Sequence, residues 1–375
     1  MIVPLYRHNL INEDTSELAT QFGSLLSNMI ISTGPINKEV SNQFAAYVNR
    51  KHCILTSNWS SGMMATLIAL GIGHGDEVIV PALTFAATAN IVEAIGATPV
   101  FVDIDVDTKL MNIEQAAQLV TKKTKAIIPV HLYGQMLDVK KLKFALPKKI
   151  FIIEDAAHAI EAEFAGDRPG THSDAAVFSF YQSKNMTTGE GGAIVTDNDD
   201  LYDKIKVSYR HGINLCGYQR HIREEFIAPD VTALGIKANM PDLLAILLPH
   251  QIKKAEKNLA LRQTIADRYL NELAGLVEVP YVTRWAKHAW HIFAIGISPL
   301  KREQLLIDLF NRGIKTTIHF KSLHTTSYYA KKYNFNPNDF PIAYQWGESV
   351  FSLPIFPGLT NIEQDYVINN LKELL

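Results

Sequence analysis

Short apolar stretches recur through the first half of the chain, each long enough for one buried strand. His52–Ser57, Glu77–Pro81, Val100–Ile104, Ala126–Val130, Ile150–Glu154 and Ala175–Phe180 carry the pattern. Residues 60–71, rich in Met, Ala and Leu, and residues near 86–95 read as helices between the first of them. Apolar strands alternating with helices predict an α/β domain with a largely parallel sheet. From about residue 240 the pattern changes. A long amphipathic stretch over 241–274 is followed by a strand over 290–297 and a helix near 301–312. A strand near 316–320 and a closing helix over 362–375 complete a smaller α+β unit. The expected division is a large domain over 1–250 and a small C-terminal domain over 251–375.

Composition narrows the class of function. The 375 residues fit two domains on a prior of about 150 residues each. Lys and Arg number 36 against 38 Asp and Glu, with no basic stripe, so nucleic acid is not an expected partner. Two cysteines, Cys53 and Cys216, cannot make a disulfide framework or a structural zinc site, and a reducing cytoplasm fits them best. Residues 1–8 lack the pattern of a signal peptide. No apolar run approaches the ~20 residues of a membrane helix, so a soluble, cytoplasmic protein is expected.

Ligands of open α/β sheets sit at the carboxyl ends of the strands. Glu154-Asp155-Ala156-Ala157-His158 ends one strand, and a carboxylate there can hold a protonated ring nitrogen. Taken alone it also fits a helix cap or a surface acid. After Ala175–Phe180 come the hydroxyls of Ser179 and Ser183, then Lys184, then the glycine-rich Thr187-Thr188-Gly189-Glu190-Gly191-Gly192. Hydroxyls can bind a phosphate, and glycines allow the backbone to approach a ligand closely. The lysine is either a counter-charge, a nucleophile or a plain exposed side chain.

Together these segments resemble the DegT/DnrJ/EryC1/StrS family of sugar aminotransferases, from about residue 10 to the C-terminus. The resemblance implies pyridoxal 5'-phosphate as cofactor and the aspartate-aminotransferase-like fold. It implies Lys184 as the lysine that carries the cofactor, Asp155 as the partner of the ring nitrogen, His158 near the ring hydroxyl and Ser179 at the phosphate. Ser32-Thr33-Gly34-Pro35 resembles the family's segment near the substrate, which implies a substrate contact for Thr33. The turn Leu70–Val78 sets Asn58-Trp59-Ser60-Ser61 on the family's phosphate loop. Ser60 takes the place of a threonine there, and Trp59 stands where a small residue is usual. A bland reading of Ser60 is a helix N-cap, compatible with phosphate binding. Thr84–Asn90 matches a segment whose aromatic stacks on the ring, which implies that role for Phe85. His131–Gln135 matches a further strand end. Lys237-Ala238-Asn239-Met240 matches a segment in which Asn239 would reach the phosphate of the neighbouring subunit's cofactor, implying a homodimer with shared active sites. Ile318-His319-Phe320 and Ser322-Leu323-His324 match a segment that approaches the sugar, and Tyr181 beside the lysine motif is a further substrate candidate.

Rival chemistries find less support. Gly71-x-Gly73-x-Gly75 follows a helix and precedes a strand, the reverse of the dinucleotide order. His288 and His291 lack a third metal ligand at suitable spacing, and no Gly-x-Ser-x-Gly elbow is present. Within the fold, related dehydratases replace the lysine with histidine, whereas this chain has Lys184. A non-catalytic regulator would be expected to have lost the lysine, the acid or the hydroxyls. The resemblance thus implies transfer of an amino group from L-glutamate to a nucleotide-linked keto sugar. The form of the lysine motif favours C4 of a 4-keto-6-deoxyhexose over C3 amination of a 3-keto sugar. The product would feed a surface glycan such as O-antigen lipopolysaccharide or capsule, or a glycosylated metabolite.

Overall fold

The computed structural model describes residues 1–8, 15–27, 30–214 and 228–375; Cys216 lies outside them. The strands expected in the first half all form: β1 (His52–Thr56), β2 (Glu77–Pro81), β3 (Thr98–Val102), β4 (Thr124–Ile127) and β5 (Phe151–Asp155). The two-residue β6 (Glu163–Phe164) precedes β7 (Ala175–Ser179) and β8 (Gly192–Thr196). Later in the chain come β9 (Ala286–Lys287), β10 (Phe293–Gly296) and β11 (Val350–Leu353). Seven strands join in one sheet in the order β1-β8-β7-β5-β4-β2-β3. Only β8 runs against the others, pairing antiparallel with both β1 and β7. The sheet is therefore mixed but mostly parallel, as the alternating pattern predicts. Every residue of β7 and of β8 is buried, because helices cover both faces.

Local chemistry starts the helices that flank the sheet. The Asn58 side chain accepts from Ser61 N at 2.7 Å and opens the helix Trp59–Ala69. Thr360 and Glu363 form a reciprocal capping box on the closing helix Asn361–Leu374. The amphipathic stretch after 240 divides into Asp242–Ala245 and the 26-residue helix Leu248–Leu273, which starts with a proline in its first turn.

The strand expected near 316–320 does not form. Thr317 makes a single bridge to Ser352 on β11, with Ser352 N donating to Thr317 O at 2.8 Å. Beyond it the backbone groups go elsewhere: the Tyr133 hydroxyl donates to His319 O, and Leu323 N donates to Ala82 O at 2.8 Å. With its polar groups satisfied outside a ladder, the segment is drawn over the carboxyl edge of the large sheet. The strand expected over 290–297 shortens to β10, because Trp290 adopts a left-handed backbone with φ 46°.

Candidate active site

The large sheet delivers its functional groups at one edge. Asp155 is the last residue of β5 and Ser179 the last of β7, and the helix Trp59–Ala69 begins just past the end of β1. A cavity of about 410 Å³ opens there. Lys184 and Asp155 line it together with His158, Ser179, Tyr181, Trp59, Ser60, Phe85, His319 and Phe320. Ten of the twelve site residues expected from the sequence thus meet on one cavity. Thr33 and Asn239 do not line it; they meet each other, with Asn239 Nδ2 donating to Thr33 Oγ1 at 2.7 Å.

Asp155 is held from two sides. Thr88 Oγ1 donates to Oδ2 at 3.2 Å, and Ala157 N donates to Oδ1 at 3.1 Å. Burial pushes its carboxyl up, while the charge of Lys184 opposes that rise. Burial lowers the Lys184 amine to about 8, again with Asp155 opposing. A lysine with that value is still mostly charged near physiological pH, but its neutral fraction, roughly a tenth to a fifth, is far larger than that of an ordinary lysine at about 10.4, as suits a nucleophile or a proton carrier.

At the other end of the cavity the helix Trp59–Ala69 presents its start, where unpaired N–H groups and the helix dipole favour an anion. Ser179 Oγ accepts from Tyr181 N at 3.3 Å, which leaves its own proton free to donate. Trp59 Nε1 is buried and has no hydrogen-bond partner among the described residues. Gly192 of the lysine motif is required by packing. A Cβ on Gly192 would lie 2.8 Å from Asn58 C, Phe178 O and Thr56 Oγ1. The missing side chain lets β8 pack against the loop that begins the helix, so the contact is chain against chain.

The opposite wall comes from the C-terminal part of the chain. His319 lies over the cavity, its Nδ1 2.8 Å from Ser352 Oγ, and burial lowers it to about 4. The Phe320 ring sits 5.7 Å from Phe85, which is 59% exposed, and 6.1 Å from His158. His158 Nδ1 accepts from Tyr133 N at 3.2 Å, so the neutral ring carries its proton on Nε2. Burial, with Lys184 next in effect, holds it neutral.

Two lining residues were not singled out in the sequence for this chemistry. Thr88 anchors Asp155, and the spacing Thr84-x-x-x-Thr88 on the start of a helix was the available signal. The sequence offers His291 only as half of a metal pair with His288. Its Nε2 instead lies 3.4 Å from Lys184 Nζ, while His288 stacks on Trp290 with ring centroids 4.0 Å apart. Nothing in the local sequence connects residue 291 to residue 184; the fold does.

Comparison with known proteins agrees with this geometry. The sequence model of the DegT/DnrJ/EryC1/StrS aminotransferase family matches residues 12–372. The Bacillus subtilis spore coat polysaccharide biosynthesis protein SpsC is 36% identical over 354 residues, covering 92% of this chain and 91% of SpsC. Among solved structures, S. venezuelae DesV in complex with a ketimine intermediate superposes with a TM-score of 0.90 at 29% identity. That match covers 99% of this chain and 98% of DesV. Bacillus subtilis NtdA with bound cofactor PMP gives 0.85 at 29% identity, covering 97% and 83%. The chain belongs to the DegT/DnrJ/EryC1/StrS aminotransferase family and is a pyridoxal-phosphate-dependent aminotransferase of the aspartate-aminotransferase-like fold. The donor set fits that cofactor: a buried amine, a buried carboxylate and, at the far end, a helix start with hydroxyls and an unpartnered indole N–H.

Proposed function

We propose that the chain transfers an amino group from L-glutamate to a keto sugar carried by a nucleotide, at C4 of a 4-keto-6-deoxyhexose. The observation that carries this reading is the buried amine of Lys184 in the same cavity as the carboxylate of Asp155. Family membership supports the amino transfer, and the name of SpsC supports a product bound for a polysaccharide. The preference for C4 over C3 rests on the likeness of Thr187–Gly192 to relatives that aminate C4.

Bound pyridoxal phosphate supplies an electron sink that stabilises the carbanion formed when the substrate loses its proton. Asp155, fixed by Thr88 and Ala157, keeps the ring nitrogen protonated. Lys184 would hold the cofactor, and its amine, lowered by burial, would be the group that moves a proton from the amino donor's α-carbon. His158, with its proton on Nε2, and Phe85, both lining the cavity, would help hold the cofactor ring. Ser60, Ser179 and the indole N–H of Trp59 take the phosphate. Tyr181, His319 and Phe320 approach the sugar.

Asn239 and Thr33, set apart from the cavity, belong in this reading to a homodimer whose subunits share their sites. The buried Oδ1 of Asn239, without a partner among the described residues, supports an unmet contact there. Residues 1–250 carry the cofactor and residues 251–375 close over it. The apolar cluster of Leu259, Tyr269, Phe293, Phe351 and Leu371 supports that division. With no helix of the described residues long and apolar enough to cross a membrane, a cytoplasmic location fits the nucleotide-linked substrate.

The visible absorption spectrum of the purified protein tests the reading. A band from the lysine-bound cofactor should bleach on addition of L-glutamate. A panel of nucleotide keto sugars should then restore it, with the 4-keto-6-deoxy sugars fastest. No band after added pyridoxal phosphate would overturn the reading in favour of a non-catalytic protein. Restoration only by 3-keto sugars would move the amination to C3.

A further inference from the structure

A line of polar side chains, buried at Arg262 and Glu161 and partly buried beyond them, runs from the helix Leu248–Leu273 to the cavity and ends on the lysine. Arg262, 2% exposed, donates from Nη2 to Glu161 Oε1 at 2.5 Å. Glu161, fully buried, accepts from Asn185 Nδ2 on its other oxygen at 2.8 Å. The same amide nitrogen donates to Ala289 O at 3.1 Å, and Arg262 Nε donates to that carbonyl as well. Asn185 Oδ1 lies 3.2 Å from His291 Nδ1, and His291 Nε2 lies 3.4 Å from Lys184 Nζ.

The orientation of every group in this line is determined. Glu161 and Ala289 O can only accept, so both protons of the Asn185 amide point toward them. Its oxygen is then what faces His291, so Nδ1 of the neutral ring must carry the proton. Nε2 is left bare, with its lone pair toward the amine of Lys184. We propose that His291 is a positioning residue for Lys184: the line Arg262–Glu161–Asn185 fixes its tautomer, and its bare Nε2 accepts from the lysine amine and turns the amine's lone pair into the cavity. This inference rests on Lys184 being the lysine that carries the cofactor and moves the proton.

The ring stays neutral through the reaction. Burial holds it well below its ordinary value, and Lys184, His319, Arg262 and His288 act in the same direction. His158, whose ring centroid is 4.5 Å away, also faces it and is held neutral by burial. Placed so, the imidazole cannot compete for the substrate's proton. It withdraws one N–H of the lysine from circulation and leaves the lone pair as the only basic site aimed at the reacting atoms. An acceptor at this place favours the charged amine, so its removal should lower the basicity of Lys184.

The test reads the lysine directly in the protein stripped of cofactor. Acetylation of Lys184 by acetic anhydride across pH, followed by peptide mass spectrometry, gives the midpoint of its titration. His291→Phe should lower that midpoint by about one pH unit, and Asn185→Ala, which unlocks the tautomer, by a smaller amount in the same direction. In the loaded enzyme His291→Phe should lower kcat by roughly 10- to 100-fold, with KM for the amino donor changed less than about threefold. His291→Gln, whose amide oxygen can stand in for Nε2, should recover most of both effects. A Lys184 midpoint unmoved in both His291→Phe and Asn185→Ala would overturn the proposal. So would equal losses of kcat in His291→Phe and His291→Gln, which would assign the histidine to packing. If His291→Phe does not fold, the midpoint in Asn185→Ala decides alone. A wild-type protein that gives no cofactor band would sink the aminotransferase reading of the site while leaving the comparison of midpoints intact.

Discussion

Asp155, His158, Ser179 and Lys184 fall within one stretch of 30 residues and hang from the ends of β5 and β7. His291, His319 and Phe320, across the same cavity, come from irregular chain more than a hundred residues later. The first wall is anchored to the ends of buried strands of the sheet, where local contacts (Ala157 N to Asp155, Tyr181 N to Ser179) are joined by groups the sheet brings in, Thr88 to Asp155 and Tyr133 N to His158. The second is held by distant partners: His319 by Ser352 and by the hydroxyl of Tyr133, His291 by Asn185. A wall on rigid strand ends suits groups that must be placed within a fraction of an ångström. A wall on irregular chain can be re-aimed by a few substitutions, which suits selection among substrates. Chemistry should therefore depend chiefly on the first wall, joined from the second by His291 through its contact with Lys184, and acceptor choice on His319 and Phe320.

The largest effects should come from the first wall. Lys184→Ala should reduce turnover by about 10⁴-fold or more, since on the proposed function it removes both the anchor of the cofactor and the proton carrier. Asp155→Ala should cost about 10²-fold or more, because an unprotonated ring is a poor electron sink. Single-turnover rates with L-glutamate measure both. Near-normal rates in either variant would remove that residue from the chemistry and break the contrast between the walls.

A broader effect of intermediate size is expected from the histidines, which occupy both walls. His158, His291 and His319 are held neutral by burial, as is His288 behind them, with His319 lowered to about 4 and His288 to about 3. In the unfolded chain each takes a proton near pH 6.5, before the folded protein does. The cofactor-free protein should be stable above that pH and lose stability as pH falls from about 6.5 toward 4, by about 1.4 kcal/mol per pH unit for each histidine. Urea midpoints measured at pH 7.5 and pH 5 check the sign. An unchanged midpoint would mean that these rings are solvated.

The same contrast governs what could be read from the sequence. Lys184, Asp155 and Ser179 were legible because the strand-loop pattern and the chemistry lie in one continuous segment. The parallel core was legible because β2, β5 and β7 are largely apolar runs, and the apolar run Ala126–Val130 overlaps β4. β8 was missed although it is fully buried, because Gly192–Thr196 directly follows the glycine-rich motif and reads as its continuation. The expected strand at 316–320 failed for a related reason. Its β-branched residues have the right local preference, but Tyr133, far away in the chain, takes the carbonyl of His319, and Ala82 takes the N–H of Leu323 just beyond the segment. His291 was invisible as a partner of Lys184, since only the line through Arg262, Glu161 and Asn185 gives it that place.

The smallest effect should be the most discriminating. Ser352 is buried on β11, and its hydroxyl holds His319 Nδ1 while its backbone N–H keeps the bridge to Thr317. Ser352→Ala removes the first contact and spares the second. The backbone path over the cavity should survive, with a stability loss of about 1 kcal/mol from the lost hydrogen bond. His319 would then be free to turn, so KM for the sugar acceptor should rise by about three- to fivefold while kcat stays within about twofold. Steady-state rates at saturating L-glutamate and varied acceptor separate the two constants. If kcat instead fell as far as in Asp155→Ala, His319 would belong to the chemical step. The wall built from distant parts of the chain would then need the same precision as the one built on strand ends, and its irregular backbone could no longer be explained by substrate choice.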